Sequence, residues 1–346
     1  MVARALAAPS PLNIQPWMVR FPVPDRIELC IDPGRILPAL DPDFRRIFIA
    51  HGAFLENLDI AARDQGYRTD ITLFPSGWPG ARLDLSEPVA CIDLIRDTAV
   101  EKDPLAAVLF LRRTSRIPFS GRSIGQETLA GLSDSYDQST IPMGLLTDPG
   151  SRSAIAALLH QATAIELSNE ERFRELLLFL DTTCRSDRRA GCNLTDLGLS
   201  SLSLVWLRLR MALVSGDRRE ALLKEILISC ARRQASTAAG FGWITTPGNL
   251  RVEQIRAGRA FERVALTAAS LGLSFQPMTQ ILSDYPGMED LRNNLYDFLG
   301  IPRNRTIQMF FRIGYAAPVP ATPRRPVGTR HFLMPEWSGD PGQQGR

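Results

Sequence analysis

The sequence predicts an α+β fold assembled from two related halves of one chain. Three observations carry this. A glycine-bounded helix pattern occurs twice. Strand-like alternation follows the first copy and returns near the C-terminus. At 346 residues the chain is longer than one ordinary core takes.

The repeat is specific in its spacing. Gly52-Ala53-Phe54-Leu55-Glu56 leads through Ala61-Ala62 to Gly66, and Gly258-Arg259-Ala260-Phe261-Glu262 leads through Thr267-Ala268 to Gly272. The glycines are 14 apart in both copies (66 − 52 and 272 − 258). Small residues on one face let two helices approach closely, and a terminal glycine suits the left-handed position that ends a helix. Two unrelated alanine-rich helices with glycine caps would give the same pattern.

The remaining elements follow in order. Asp41-Pro42-Asp43 is a helix start, and the apolar stripe Phe44, Ile47, Phe54, Leu55, Leu58 and Ala61 carries the helix to about Gln65. Thr69–Phe74 and Val89–Ile95 alternate like strands, with Pro75-Ser76-Gly77 as a break. Asp103-Pro104 starts a short helix to about Arg113, and Gln126–Leu132 a further one. Residues from about 151 to 235 read as almost wholly helical and irregular, without strand alternation, an insertion or lid. Strand signals are expected again only at Gln308–Gly314, and the Pro-, Gly- and Arg-rich end is expected to trail over the surface.

Composition excludes several classes. The net charge is +3 on 40 basic and 37 acidic residues, which gives no nucleic-acid signature. The most apolar stretch, Leu202–Val214, is too short to span a bilayer and holds Arg208 and Arg210. With no targeting segment in view, a cytoplasmic protein is expected. Five scattered cysteines and three distant histidines lack disulfide or metal-ligand spacing, so buried or idle thiols and no metal are expected.

Three segments can carry chemistry. Ala8-Pro9-Ser10-Pro11-Leu12-Asn13-Ile14-Gln15-Pro16-Trp17 has too many prolines for a helix interior or central strand. It is a fixed loop presenting Ser10, Asn13 and Gln15, either to the edge of a planar heteroaromatic ligand or to neighbouring backbone. Arg112-Arg113-Thr114-Ser115-Arg116 spaces two guanidinium groups around hydroxyls, as an oxyanion clamp or a solvated basic helix end. Arg324 and Arg325 repeat the basic theme near the C-terminus, where a solvated tail would look alike.

Ala-Pro-Ser-x-x-Asn-x-Gln-Pro-Trp resembles the FMN-binding loop of the nitroreductase-like superfamily, and Arg-Arg-Thr-Ser-Arg resembles its phosphate motif with Thr114 in place of the usual Ser. Gly258 to Gln280, with Gln276-Pro277-Met278, is similar to the helix and turn backing the isoalloxazine, and Arg324-Arg325 to C-terminal residues that reach the phosphate. The order of the pieces is closest to the Acg-like branch of FMN-binding oxidoreductases. The resemblance implies a three-layer α/β fold and an FMN site made by Pro9, Ser10, Asn13, Gln15, Arg112, Thr114, Arg116, Gln276, Pro277, Met278, Arg324 and Arg325.

In that family the arginine motif ordinarily precedes the loop, and FMN lies across a homodimer interface. Here the order is reversed and each motif occurs once, which implies a fused pseudo-dimer with one site, possible as a monomer. The halves are expected at residues 1–100 and 101–346, the second including the helical lid at about 151–235. The resemblance also implies an N-terminal helix that is abbreviated here. NAD(P)H would be the donor and a nitroaromatic or quinone the acceptor, with no nucleic acid or membrane partner. No catalytic acid or base stands out. The alternative is an FMN-sequestering protein with little turnover, favoured by the long helical segment.

Overall fold

The computed structural model describes residues 1–77, 84–181, 189–326 and 332–333. A short helix, α1 (Val2–Ala5), precedes the proline loop. The first sheet follows as β1 (Trp17–Arg20) and β2 (Arg26–Ile31), then helix α2 (Arg45–Asp64), then β3 (Tyr67–Leu73) and β4 (Pro88–Arg96). Helix α3 is Gln126–Ser133 and β5 is Met143–Leu146. A helical stretch comprises α4 (Pro149–Ser168), α5 (Glu170–Phe179), α6 (Ser201–Leu213) and α7 (Asp217–Ser236), with a two-residue pair β6 (Leu180–Asp181) and β7 (Cys192–Asn193). The second sheet is completed by β8 (Gly240–Thr246), helix α8 (Arg251–Ser270), β9 (Ser274–Pro277), helix α9 (Glu289–Leu299) and β10 (Thr306–Gly314). Finally β11 (Phe332–Leu333) returns to pair in parallel with β1.

The sheets are ordered β11-β1-β2-β4-β3 and β5-β8-β10-β9. Without β11, both run through four antiparallel strands, with the strand after the helix at one edge. The helices match too. α2 and α8 are each 20 residues long, and each is followed by a left-handed glycine, Gly66 (φ 78°) and Gly272 (φ 72°). Starts, inner glycines and end glycines share one offset: 251 − 45, 258 − 52 and 272 − 66 are all 206.

The two helices pack against each other between the sheets. Phe48, Phe54, Leu55 and Leu58 of α2 join Trp17, Val19, Ile27 and Leu29 of the first sheet, while Phe261, Val264 and Ala265 of α8 join Phe275, Phe311 and Ile313 of the second. The far face of the second sheet carries a further core, in which Phe241 and Phe310 meet Ile155 and Leu159 of α4 and Leu291 and Leu295 of α9. The order of layers is therefore sheet, helix pair, sheet, outer helices.

Several expectations need correction. Asp103 does cap a turn, accepting from Leu105 N at 2.9 Å, but the helix expected to Arg113 ends as a turn at Pro104–Val108. Phe110 and Leu111 are exposed, so nothing holds a longer apolar face. Strands return at β5, β8 and β9, well before β10. The Gly240-Phe241-Gly242-Trp243 run of β8 has poor strand propensity, yet a Cβ on Gly242 would stand 2.4 Å from the Phe311 ring, so packing requires the glycine. The segment 151–235 is helical apart from β6 and β7, but it is not one lid. α4 and the end of α7 belong to the core of the second sheet, and Phe173, Leu207, Met211 and Leu222 form a separate cluster. The apolar residues Leu202, Val205 and Trp206 of α6 are exposed; Leu202 and Trp206 line a surface pocket of their own, away from the cavities of the candidate site. The C-terminal stretch is pinned by Arg324 and Arg325, as described below, and β11 adds to the first sheet, while residues 334–346, expected to trail, lie outside the described residues.

Candidate functional site

The proline loop is a strained turn locked from the other end of the chain. Leu12, Asn13 and Gln15 have φ of 46°, 54° and 53°, a region that non-glycine residues enter only when surroundings enforce it. The enforcing contacts are specific. Ser10 Oγ accepts from Gln15 N at 3.0 Å. Arg325 donates from its backbone N to Gln15 Oε1 at 2.8 Å and from Nη2 to Gln15 O at 2.7 Å, and Gln15 Nε2 donates to Arg189 O at 2.6 Å. Arg324 Nη1 donates to Asn13 Oδ1 at 2.8 Å, and its Nε donates to Leu6 O at 3.0 Å.

The arginine motif is held just as firmly. Thr114 bridges to Phe275, and Ser115 N donates to Phe275 O at 2.9 Å, so the motif lies along β9. Beneath it Arg312, fully buried on β10, donates to Ser115 O, Ile117 O, Gln234 O and Gln276 Oε1, with its guanidinium over the Phe119 ring. Burial, with Arg116 nearby, pulls its pKa down to about 9, which still leaves it protonated at neutral pH.

Two cavities result, and Thr114 lines both. One, of about 220 Å³, is walled by Pro9, Pro11, Pro277 and the α2 and α8 residues Ile49, Ala50, Ala53 and Phe261, with Ser10, Thr279 and Gln280 as polar groups. Arg45, Arg46 and Arg116 also line it, against Glu166 as carboxylate. Arg46 is committed to Glu166 at 3.0 Å and to Ser283 Oγ at 2.6 Å. Arg45 is 4% exposed and gives Nη1 to Gln308 O at 2.5 Å, while Nη2 has no hydrogen-bond partner among the described residues. Burial lowers its pKa.

The other cavity, of about 430 Å³, is basic: Arg112, Arg113, Arg324 and Arg325 line it. Arg112 is 5% exposed, with Nε 3.2 Å from Glu262 Oε1 and Nη2 donating to Ala7 O at 3.1 Å. Burial and the charge of Arg112 pull the pKa of Arg324 down to about 9. Arg325 is turned away, toward Trp17 O at 3.1 Å and Asp32 at 3.5 Å.

The structure thus distributes the candidate residues in three groups. Pro9, Ser10, Thr114, Arg116 and Pro277 line the smaller cavity, and Arg112, Thr114, Arg324 and Arg325 the larger. Asn13, Gln15, Gln276 and Met278 line neither. Asn13 and Gln15 brace the loop, Gln276 pairs with Arg312 and Gln234, and Met278 lies in the core. Sequence reasoning missed Arg45 and Arg46, although both directly follow the Asp41-Pro42-Asp43 helix start. It also missed Glu262, whose burial only the helix crossing produces.

Among the described residues no group of histidines, cysteines and carboxylates could hold a metal ion, and no helix is long and apolar enough to cross a membrane. Cys30, Cys192 and Cys230 are buried, Cys91 is half-buried, and Cys184 lies outside the described residues.

No family model matches the chain. It is 27% identical, over 93% of its length and 87% of the relative's, to a Mycobacterium tuberculosis protein named "Putative NAD(P)H nitroreductase". It is 24% identical over 94% of its length, and 90% of the relative's, to an uncharacterized protein of the same organism. Among solved structures, a nitroreductase-type protein from Anabaena variabilis matches with a TM-score of 0.46 at 12% identity, over 84% of this chain and 69% of that one. The FMN-dependent nitroreductase of Mycobacterium smegmatis in complex with NADPH matches with a TM-score of 0.39 at 16% identity, over 64% and 94%. Through its sequence relatives the chain is similar to the nitroreductase-like superfamily.

Proposed function

We propose that the chain is an FMN-dependent NAD(P)H oxidoreductase whose cofactor lies along the two cavities that share Thr114. The observation that carries this is the distribution of charge. Arg112, Arg113 and Arg324 gather at one end with Glu262 as the buried counter-charge, and a cavity walled by prolines and apolar residues of α2 and α8, which Arg45, Arg46, Arg116 and Glu166 also line, lies at the other. A flat, polar-edged ring system with an anionic tail fits that pair. Buried guanidinium groups facing one another are unfavourable until an anion joins them.

In this reading Arg112, Arg324 and the Thr114 hydroxyl hold the phosphate, with Arg116 at the boundary of the ring cavity. Pro9, Ser10 and Pro277 bound the ring. Arg45, in the wall of that cavity, puts a fixed positive charge beside the ring, which favours the reduced, more electron-rich form. Bound FMN would supply hydride chemistry, from a reduced nicotinamide to a nitroaromatic or quinone-type acceptor. Asn13, Gln15, Gln276 and Met278 act through the loops they brace.

The matching strand orders and the common offset of 206 support an internal duplication, with halves bounded near residue 100. A chain that carries both halves of the site has no need of a second copy. Among the described residues of the helical stretch only Glu166 lines the ring cavity, and α6 does not reach it, which favours turnover over sequestration. Purified protein should quench the fluorescence of added FMN. Anaerobic NADPH should bleach the bound flavin, and a nitroaromatic should restore its colour. Protein that binds no FMN sinks the reading; binding without bleaching leaves flavin storage.

A further inference from the structure

Glu56 and Glu262 occupy matching places in the two helices (262 − 56 is again 206). Both are buried, at 3% and 0% exposure, yet they are treated differently. Glu56 has two guanidinium partners of its own, Arg259 at 2.7 Å and Arg263 at 2.9 Å. Glu262 has Arg112 at 3.2 Å, and neither of its oxygens has a well-formed hydrogen bond among the described residues. Its counter-ion is therefore also a wall of the basic cavity.

We infer that Glu262 is a proton-coupled counter-ion of that cavity: it neutralises Arg112 when no anion is bound and takes up a proton when a phosphate monoester binds. The inference rests on the proposed phosphate role of the cavity. A dianion beside Arg112 and Arg324 draws both guanidinium groups to itself, and an unshared carboxylate left in a dry site is unfavourable. Protonation removes that charge. The groups facing Glu262 are Arg112 after the Pro104–Val108 turn, Arg324 on the C-terminal stretch, and Glu56 with the neutral Asn57 on α2. On its own helix, Arg259 and Arg263 are turned to Glu56. Burial, opposed by Arg112, already pushes the Glu262 carboxyl up to about 7, within reach of neutral solution.

The sign follows. Uptake of a proton on binding makes affinity rise as pH falls, by at most about tenfold per pH unit for one proton. The window is about pH 6.5 to 8, below the titration of Arg324 and above most of the phosphate's own second ionisation near 6. Titrating FMN calorimetrically into the native protein, in two buffers of different ionisation heat, counts protons without any variant. A fraction of a proton up to one proton taken up per FMN is expected. The variant E262Q should take up none, and its FMN affinity should be nearly flat across the window. FMN binding with no proton uptake by the native protein overturns the inference and leaves the cofactor site standing. So does uptake that persists in a folded E262Q. No FMN binding at any pH overturns both.

Discussion

Gly52 and Gly258 meet back to back where α2 crosses α8. A Cβ on Gly52 would lie 2.9 Å from Gly258 Cα and 2.0 Å from the Ile255 carbonyl oxygen; one on Gly258 would lie 3.0 Å from Gly52 Cα and 2.1 Å from the Ile49 oxygen. The contact is reciprocal, as a crossing between matching helices should be, and it brings the α2 and α8 walls of the ring cavity together. Gly258→Ala should therefore destabilise the protein by about 3 kcal/mol or more, because backbone rather than a flexible side chain must move. Gly121→Ala, with open space at its Cβ, should change stability by under about 0.5 kcal/mol. Urea unfolding measures both, and equal stabilities would show that the crossing can open.

Arg324 and Arg325 adjoin in sequence but do different work. Arg324→Ala should weaken FMN by roughly 10- to 150-fold, the worth of about 1.5–3 kcal/mol for a charged hydrogen bond, and should weaken riboflavin distinctly less, through the lost contacts to Asn13 and Leu6. Arg325→Ala should lower stability through Gln15 and Trp17 while leaving the FMN-to-riboflavin ratio unchanged. Comparing the two flavins by fluorescence titration separates phosphate recognition from loop bracing. If Arg324→Ala weakens both flavins equally, Arg324 is only a brace.

Arg312 should tolerate no conservative replacement. Lysine cannot reach Gln276, Gln234, Ser115 and Ile117 together or lie flat on Phe119. Arg312→Lys is expected to cost about 3–5 kcal/mol, the usual penalty for breaking a buried charged network. In protein that remains folded it should also weaken FMN, because Thr114 and Arg116 sit on the segment it holds. Unchanged urea midpoint and FMN affinity would contradict this.

Glu262 should make the ligand-free protein lose stability as pH rises from about 4.5 to 7, while His51, whose pKa is lowered by burial, acts in the opposite direction over the acidic part of that window. The folded pKa of Glu262 is raised, so its contribution is complete below the unfolded value near 4.3 and disappears as pH passes the folded value of about 7. The loss can reach about 3 kcal/mol. Asp41, pushed up to about 6 chiefly by burial, acts in the same direction. Urea midpoints at several pH values, in native protein and E262Q, isolate the Glu262 share; identical profiles would remove it.

Trp206 on α6 should be dispensable for access to the flavin. Trp206→Ala is expected to leave stopped-flow reduction by NADPH unchanged. A clear acceleration would restore the lid role expected of this helix from its apolar run.

Much of the fold was legible in the chain because it is written locally. The glycine spacing marks α2 and α8, Asp41 and Asp103 mark starts of turns, and alternation marks β3, β4 and β10. The proline loop and the arginine motif were legible for the same reason, since proline content and guanidinium spacing are properties of adjacent residues. What the sequence could not decide was which polar groups face a cavity. Asn13 and Gln15 turn to Arg324 and Arg325, about 310 residues away, while Arg45 and Arg46 line the cavity. β8 was hidden because Gly242 answers to the Phe311 ring on β10, and Gly240 to Leu146, Thr147 and Ile313. The unequal fates of Glu56 and Glu262, alike in their helices, arise from which arginines the tertiary packing delivers to each. Burial and charge pairing are long-range quantities, and only the assembled layers assign them.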